Sequence, residues 1–168
     1  MNIIKKSLSK IDLNDAFFNS LRNDYVDFNK WFLKKRKSSY FAYITEDEKG
    51  NITSFLLLKE EKYQEILDII EKFDLKKMRS ENKILKISTF KVINTGKGIG
   101  TEYLRTVYKR ANKIKASIIY ITVYPKYKEF IKFLENNGFT PYKKIKDNSL
   151  KKGKNKYSEE LVLIRCYE

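Results

Sequence analysis

The feature that most constrains the fold is a run of strand, glycine-rich loop, helix and strand in the second half of the chain. The segment "KILKISTFKV" alternates its side chains as a β-strand does, and "SIIYITVY" is a second, more apolar strand. Between them, apolar residues recur at helical spacing and predict one buried helix face, formed by Ile99, Tyr103, Leu104, Val107, Ala111 and Ile114. Strands joined through a helix in this way are usually parallel neighbours in one sheet.

The remaining segments predict further strands and helices around this unit. "NIIKKSL" is typical of a first strand, and "SSYFAYIT" and "NITSFLLLKE" predict a hairpin that turns at Gly50. Helical patterns begin at Asp12 and recur over "KYQEILDIIEKFDLKK". A last helix is expected to start at Pro125 and to end at Gly138 in a left-handed cap, before the final strands "FTPYKKIK" and "SEELVLIRCYE". We therefore expect one α/β domain over residues 1–168, with a twisted, mixed but mostly antiparallel sheet of six to seven strands and helices on both faces.

The composition excludes several classes of site. The chain of 168 residues is 42% hydrophobic, which is enough for a real core. It has no histidine and one cysteine, Cys166, so a zinc site and the hydrolases that use a Ser/His/Asp or Cys/His arrangement are not expected. No apolar run approaches the ~18 residues of a membrane span, and the first residues lack a signal-peptide pattern. These observations predict a cytoplasmic protein without a metal and without a membrane segment.

The formal charge of +15 is unevenly distributed. Residues 1–84 contain 17 basic and 14 acidic side chains, whereas residues 85–168 contain 19 and 7. Such a charge attracts polyanions such as RNA, DNA or nucleotide phosphates. Thirty of the 36 basic residues are lysine, however, which is also what a compositional bias of a whole genome would produce. Nucleic-acid binding and a merely basic surface therefore both remain open from the charge alone.

Three of the six glycines lie at every second position, at Gly96, Gly98 and Gly100, where the strand meets the helix. A helix that starts in such a loop presents free N–H groups at the positive end of its dipole, and without Cβ atoms these groups can surround a phosphate or pyrophosphate. "GKGIGT" is not a Walker loop, since Lys97 is followed by Gly98, and it is not the dinucleotide-binding fingerprint, since its sixth residue is Thr101.

Two sequence blocks resemble the GNAT family, the Gcn5-related N-acetyltransferases. The first reads Thr95-Gly96-Lys97-Gly98-Ile99-Gly100, where the family has Arg or Gln, two variable residues, Gly, a variable residue, and Gly or Ala, after a strand with a bulge. The second, "ITVYPKYKEFIKFLENNGF", has the family's strand, proline-led helix and Gly-Phe. The resemblance covers residues 84–142 best.

The resemblance implies a site for acetyl-CoA as co-substrate. The family binds it where the strand before the glycines and the strand after the helix separate. Backbone groups of Phe90 and Val92 would pair with the pantetheine, and one of their N–H groups would polarise the thioester carbonyl. The pyrophosphate would lie on the loop formed by Thr95, Gly96, Lys97, Gly98, Ile99, Gly100 and Thr101. Lys97 and Lys91 are candidates to supply the charge that Thr95 lacks.

The proton donor and acceptor are less clearly marked. The family commonly has a tyrosine four residues before the Gly of Gly-Phe, as the acid that protonates the leaving thiolate, but Leu134 stands there. The resemblance then leaves Tyr127 and Tyr124 as candidate catalytic residues, with Tyr142 as a further one. Glu60 and Glu61 are candidate bases, although a solvated run of charges is the favoured explanation for them.

The resemblance implies an N-acetyltransferase in which an amine attacks the thioester directly. It leaves the acceptor open: a small amine, a protein amine, or a tRNA- or ribosome-associated substrate. The basic loop with Lys151, Lys152, Lys154 and Lys156 is a candidate RNA contact. The alternative is a catalytically inactive module of this fold that binds nucleic acid or a protein through its basic face. A monomer and a homodimer are both compatible with the family.

Overall fold

The computed structural model describes residues 2–62, 83–146 and 159–166. Two sequence predictions lie outside these residues: the helix over "KYQEILDIIEKFDLKK", except for its first lysine, and the basic loop with Lys151, Lys152, Lys154 and Lys156.

The described residues form a seven-stranded sheet in the order β1-β2-β3-β4-β5-β7-β6. The strands are β1 (Ile4–Ser7), β2 (Phe41–Glu46), β3 (Ile52–Lys62), β4 (Lys83–Val92), β5 (Ala116–Val123), β6 (Thr140–Lys146) and β7 (Glu159–Cys166). Only β4 and β5 pair in parallel, whereas the other five pairings are antiparallel. The predicted mixed, mostly antiparallel sheet is confirmed, since one of these six pairings is parallel and five are antiparallel.

Four α-helices are described: α1 (Asn19–Asp24), α2 (Phe28–Lys37), α3 (Ile99–Ile114) and α4 (Lys128–Asn136). Short 3-10 turns lie at Leu8–Lys10 and Ala16–Phe18. The predicted buried face of α3 is confirmed in full, since all six of its apolar side chains are buried. The predicted hairpin is also present, and Gly50 turns it with a φ of +81°.

The helices cover both faces of the sheet. Successive side chains of β3 point to opposite faces, and they join two different cores. Phe55 and Leu57 belong to the core under α1 and α2, together with Phe17, Phe18, Phe28, Phe32, Ala42 and Ile44. Leu56 belongs to the core under α3 and α4, together with Leu85, Ile87, Tyr103, Leu104, Val107, Ile119, Ile121 and Leu134.

One predicted boundary is wrong. Pro125 does not start the last helix, which begins three residues later at Lys128. The chain first makes a turn, in which the Tyr127 N–H donates to the Tyr124 carbonyl at 3.0 Å. Gly138, by contrast, ends this helix as predicted, with a φ of +87°. Its N–H and the Phe139 N–H donate to the Glu135 and Leu134 carbonyls, which closes the last turn.

Candidate functional site

Strands β4 and β5 separate at the end that leads to the glycines. Their parallel pairing runs only from Lys83 to Lys86 on β4, and no pairing between them continues beyond Lys86 and Tyr120 in the described chain. Just past this point β4 has a bulge at Ser88, because Leu57 and Leu58 of β3 lie opposite Thr89 and Ile87. A bulge bends its strand and increases the local twist, so β4 follows β3 and leaves a gap toward β5.

The backbone groups of Phe90 and Val92 face this gap. The Ile93 N–H donates to the Thr53 carbonyl of β3 at 2.9 Å, and Val92 lies opposite Ser54. In an antiparallel pair the N–H and C=O of alternate residues point to the same side. The groups of Val92, and of Phe90 two residues earlier, therefore point away from β3. An extended ligand in the gap would meet two donors and two acceptors along β4.

The glycine loop at the end of β4 is open. Gly96 and Gly98 have φ values of +84° and +75°, in the left-handed region that favours glycine. A Cβ atom at either residue would meet no atom within 4 Å, and residues 93–98 are exposed. Gly100 differs, because a Cβ atom there would lie 3.1 Å from Cζ of Phe133. The first two glycines thus shape an open loop, whereas the third allows α3 to pack closely against α4.

The first turn of α3 has free donors. Its first intrahelical hydrogen bond runs from the Glu102 N–H to the Gly98 carbonyl at 3.1 Å. The N–H groups of Ile99, Gly100 and Thr101 precede this bond and have no acceptor within the helix. Gly98 is the N-cap and has no side chain that could accept from them. These donors and the helix dipole favour an anion at this position.

Aromatic side chains hold the parts of the site together. The Phe90 ring lies against Tyr103 of α3 and against Phe130 and Phe133 of α4, with ring centroids 5.1 to 6.3 Å apart. Contacts of this kind contribute about 0.5–1.5 kcal/mol each beyond the burial of their area. Phe90 therefore fixes where α3 and α4 lie relative to the unpaired edge of β4.

A buried chain of hydroxyl groups anchors α3 to β2 and β3. The Tyr103 hydroxyl donates to the Tyr43 carbonyl at 3.0 Å and is 2.5 Å from Oγ of Ser54. Ser54 is in turn 2.5 Å from Oγ1 of Thr45. Tyr103 is fully buried, and its burial raises the pKa of its hydroxyl. The hydroxyl is therefore a permanent donor that fixes the first turns of α3.

Tyr127 is the exposed one of the two candidate tyrosines, with 40% of its surface accessible. Its hydroxyl donates to Oδ2 of Asp24, and Nζ of Lys126 lies 2.5 Å from Oδ1 of the same carboxylate. Burial and then the Asp24 carboxylate raise the pKa of Tyr127, so the phenol keeps its proton. A protonated, accessible phenol is what a general acid requires.

Tyr124 lies in a different environment. It is fully buried, its ring stacks on Tyr25 with centroids 5.2 Å apart, and its hydroxyl is 3.5 Å from the Asp24 carbonyl. Tyr25 in turn donates to Glu160 at 3.3 Å, and burial followed by the Glu160 charge raises its pKa. Tyr124 belongs to the packing beneath the candidate site and presents no accessible hydroxyl.

Several candidates from the sequence lie elsewhere. Lys91 turns to the opposite face, where its Nζ donates to the Phe17 carbonyl and lies 4.3 Å from the centre of the Phe17 ring, so it supplies no charge to the glycine loop. Leu134, which stands where the family commonly has a tyrosine, is buried in the core. Tyr142 lies on β6, which β7 separates from β5.

Glu60 and Glu61 are not placed to act as bases for this site. They lie opposite Leu85 and Ile84, about 20 Å along the strand from Val92. Glu60 pairs with Arg110. Glu61 is buried, accepts from the Tyr120 hydroxyl at 2.5 Å and pairs with Lys59 at 3.2 Å.

Three residues around the site were not found from the sequence: Asp24, Lys126 and Tyr25. Asp24 and Lys126 look like ordinary surface residues in their own segments, and the spacing of Tyr25 is that of an apolar helix face. Only the fold brings the three together. Within the described ranges, no group of three or more Cys, Asp or Glu side chains is arranged to hold a metal ion. None of the described helices has the length and apolar character needed to cross a membrane.

Comparison with known proteins shows the fold. No family model and no curated protein matches the sequence. Naa20 of Chaetomium thermophilum, solved with a bisubstrate analogue, has a TM-score of 0.68 at 16% identity over 99% of this chain and 86% of its own. The IAA acetyltransferase of Bacillus cereus has a TM-score of 0.66 at 12% identity, over 99% and 100% of the two chains. A GNAT-family acetyltransferase of Elizabethkingia anophelis, solved with acetyl-CoA bound, has a TM-score of 0.59 at 12% identity, over 99% of both chains.

Proposed function

We propose that this chain, which has the fold of the GNAT N-acetyltransferases, transfers an acetyl group from acetyl-CoA to an amine. One observation carries the proposal: the unpaired edge of β4 and the uncapped start of α3 lie at the same end of β4, with six residues between Val92 and Ile99. Acetyl-CoA has a long pantetheine arm that contains amides, and a pyrophosphate at the other end of that arm. It therefore needs both features, namely a strand edge for its amides and a cluster of N–H donors for its phosphates.

The residues divide into two roles in this proposal. Phe90 and Val92 offer backbone donors and acceptors to the pantetheine, and one N–H donates to the thioester carbonyl oxygen, where negative charge grows during attack. The loop from Thr95 to Thr101 binds the pyrophosphate through its backbone. Lys97, which is exposed in this loop, adds positive charge.

The reaction itself is a direct transfer. The neutral amine attacks the thioester carbon, a C–N bond forms, and the C–S bond breaks with its electron pair on sulfur. Of Tyr124 and Tyr127, only Tyr127 has an accessible phenol, and it gives its proton to the thiolate. The Asp24 carboxylate and Lys126 hold that phenol in place. Since the chain has no histidine, the proton of the incoming ammonium leaves through a carboxylate, a tyrosine or water.

The acceptor class is a separate part of the proposal. A peptide with a free N-terminal amine and an aminoacyl-tRNA are the first acceptors to assay, because Naa50 of Arabidopsis thaliana, a protein of similar fold, is solved with the bisubstrate analogue CoA-Ac-MVNAL and because this chain carries a charge of +15. Acetyl-CoA binding without turnover on any amine would support a binding module in place of an enzyme.

The test is calorimetric titration with acetyl-CoA of the wild type, Gly98→Glu and Gly50→Glu. Both glycines have positive φ and open surroundings, so the two substitutions impose the same backbone strain. Only Gly98→Glu places a carboxylate against the bound phosphates, and we expect it to weaken binding by about 100-fold or more. Gly50→Glu should bind as the wild type does. Absence of binding to the wild type, or an equal loss in both variants, would overturn the proposed function.

A further inference from the structure

We propose that a second site, a trough at the far end of α3, binds a nucleotide, either free or as one unit of a single-stranded RNA. The trough is a cavity of about 320 Å³ between the sheet and α3. It is lined by Phe41, Tyr43, Leu58 and Leu85 of the sheet and by Arg110 of α3. Its volume lies within the range of small-molecule sites and suits a single nucleotide.

The trough is separate from the proposed acetyl-CoA site. Leu85 lies in the part of β4 that is still paired with β5, before the bulge at Ser88. Arg110 follows Gly98 by twelve residues, which is about 18 Å along the axis of α3. The site of acetyl transfer makes no use of these residues.

An exposed aromatic ring forms the stacking surface. Half of Phe41 is accessible, although it is one of the large apolar side chains of the sheet. Nζ of Lys5 lies over this ring, 5.0 Å from its centre. A planar base that stacks on the ring displaces this ammonium from the ring face, and the ammonium then neutralises the phosphate of the nucleotide.

Two cations, Lys5 and Arg110, line the trough. Lys5 is exposed on β1, and Arg110 projects from α3, where its guanidinium pairs with Glu60. Both members of this pair are more than a third exposed, so the pair is worth little and can open. Arg110 can then bind a phosphate in bidentate fashion, while Glu60 can accept from an exocyclic amino group of a base.

The turn after α2 adds the Ser39 hydroxyl and an unusual backbone, whereas the Ser38 hydroxyl already donates to the Lys34 carbonyl at 3.2 Å. Ser38 and Ser39 line the trough, and Ser39 has a φ of +59°. Helices usually have glycine in this position after the C-cap. A serine in the left-handed region costs about 1 kcal/mol, and such conformations concentrate at ligand sites. Ser39 thereby brings a hydroxyl group to the lining of the trough, and a hydroxyl can donate to a phosphate or to a ribose.

The experiment is a calorimetric titration of the Gly98→Glu variant with AMP and with a ten-nucleotide oligo(A). This background is used because the added carboxylate repels phosphates from the first site, whereas CoA, itself an adenine nucleotide, would compete for the trough. The variants are Phe41→Ala and Lys5→Gln. Their matched controls are Leu33→Ala, a comparably exposed apolar residue, and Lys30→Gln, an exposed lysine, both on α2.

We expect binding in the Gly98→Glu background that weakens about 10-fold when Phe41→Ala or Lys5→Gln is added, since stacking and a phosphate contact are each worth this much. The controls should bind as the wild type does. A free nucleotide is the natural ligand if AMP and the oligomer bind equally well, and RNA is the ligand if the oligomer binds about 10-fold tighter. Absence of binding for both probes, or binding that Phe41→Ala leaves unchanged, would overturn the proposal. Because the variants alone locate the site, this result does not depend on whether acetyl-CoA binds.

Discussion

Tyr127 donates a hydrogen bond to the side chain of Asp24, a residue 103 positions earlier in the chain. Lys126 pairs with the same carboxylate at 2.5 Å. The end of α1 and the turn between β5 and α4 are therefore fastened together beside the gap between β4 and β5. This contact positions the phenol that we propose as the general acid.

The first prediction concerns Tyr127→Phe. We expect kcat to fall by about 10²-fold or more, as is typical for the loss of a general acid, while acetyl-CoA binds with unchanged affinity. Steady-state kinetics and calorimetry measure the two quantities. Unchanged kcat in this variant would exclude Tyr127 as the acid.

Asp24→Asn tests the same contact through the pH dependence of kcat. Burial is the main cause of the raised pKa of Tyr127, and the Asp24 charge adds to it. Asparagine removes only the charge, so the pKa of Tyr127 should fall part of the way toward its ordinary value of about 10. The alkaline limb of the kcat profile should then move to lower pH. A profile with an unmoved alkaline limb would mean that this limb reports another group.

Gly138→Ala should destabilise the protein more than Gly50→Ala. Both glycines have positive φ, which costs alanine about 1 kcal/mol. At Gly138 the new Cβ would also lie 3.2 Å from the guanidinium of Arg165, which is held by the Tyr108 hydroxyl and the Asn137 carbonyl, whereas Gly50 has open surroundings. We expect an additional loss of about 1 kcal/mol or more in the free energy of unfolding, measured with urea. Equal losses in the two variants would show that Arg165 moves aside freely.

The fold could be predicted where the information is local. Helical spacing identified every buried side chain of α3, and Gly50 marked the hairpin turn, because periodicity and turn chemistry act over a few residues. The glycines of the loop were only partly understood, since their spacing does not reveal that Gly100 packs against Phe133 while Gly96 and Gly98 stay open.

The candidate site depends on contacts that no local pattern encodes. Tyr25 and Glu160 are 135 residues apart, and Asp24 gains its role only when β5 and α1 meet. Lys91 was expected near the loop because it is close in sequence. In a strand, however, neighbouring side chains point to opposite faces, and Lys91 packs on Phe17 beneath α1. Pro125 was expected to start α4. Proline is common both at the first position of a helix and in the turn before it, so the proline alone does not determine where the helix begins.

Buried tyrosines should make the protein sensitive to alkali. Burial is the main cause that raises the pKa of Tyr25, Tyr103 and Tyr120, and nearby carboxylates add to it for Tyr25 and Tyr120. In the unfolded chain these phenols ionise near pH 10. Their contribution to stability is therefore complete below about pH 10 and is lost as the pH rises above it.

Absorbance at 295 nm and urea unfolding between pH 8 and about pH 11.5 measure this effect. Part of the tyrosine signal, which comes from twelve residues in all, should appear only together with loss of the far-UV circular dichroism. Complete ionisation of the tyrosines in a protein that keeps its circular dichroism would contradict the prediction.

Tyr103→Phe tests whether the buried hydroxyls position the glycine loop. The substitution removes the donor to the Tyr43 carbonyl and one contact of Ser54, which should cost about 1–3 kcal/mol of stability. Because Tyr103 also touches Phe90 on the unpaired edge of β4, we expect acetyl-CoA to bind about 3- to 10-fold more weakly. Tyr108→Phe is the matched control, since it lies on the same helix and loses hydrogen bonds with Asn137 and Arg165 on the side away from β4. It should lower stability without changing the affinity for acetyl-CoA, and an equal loss of affinity in both variants would show that only the general stability of α3 matters.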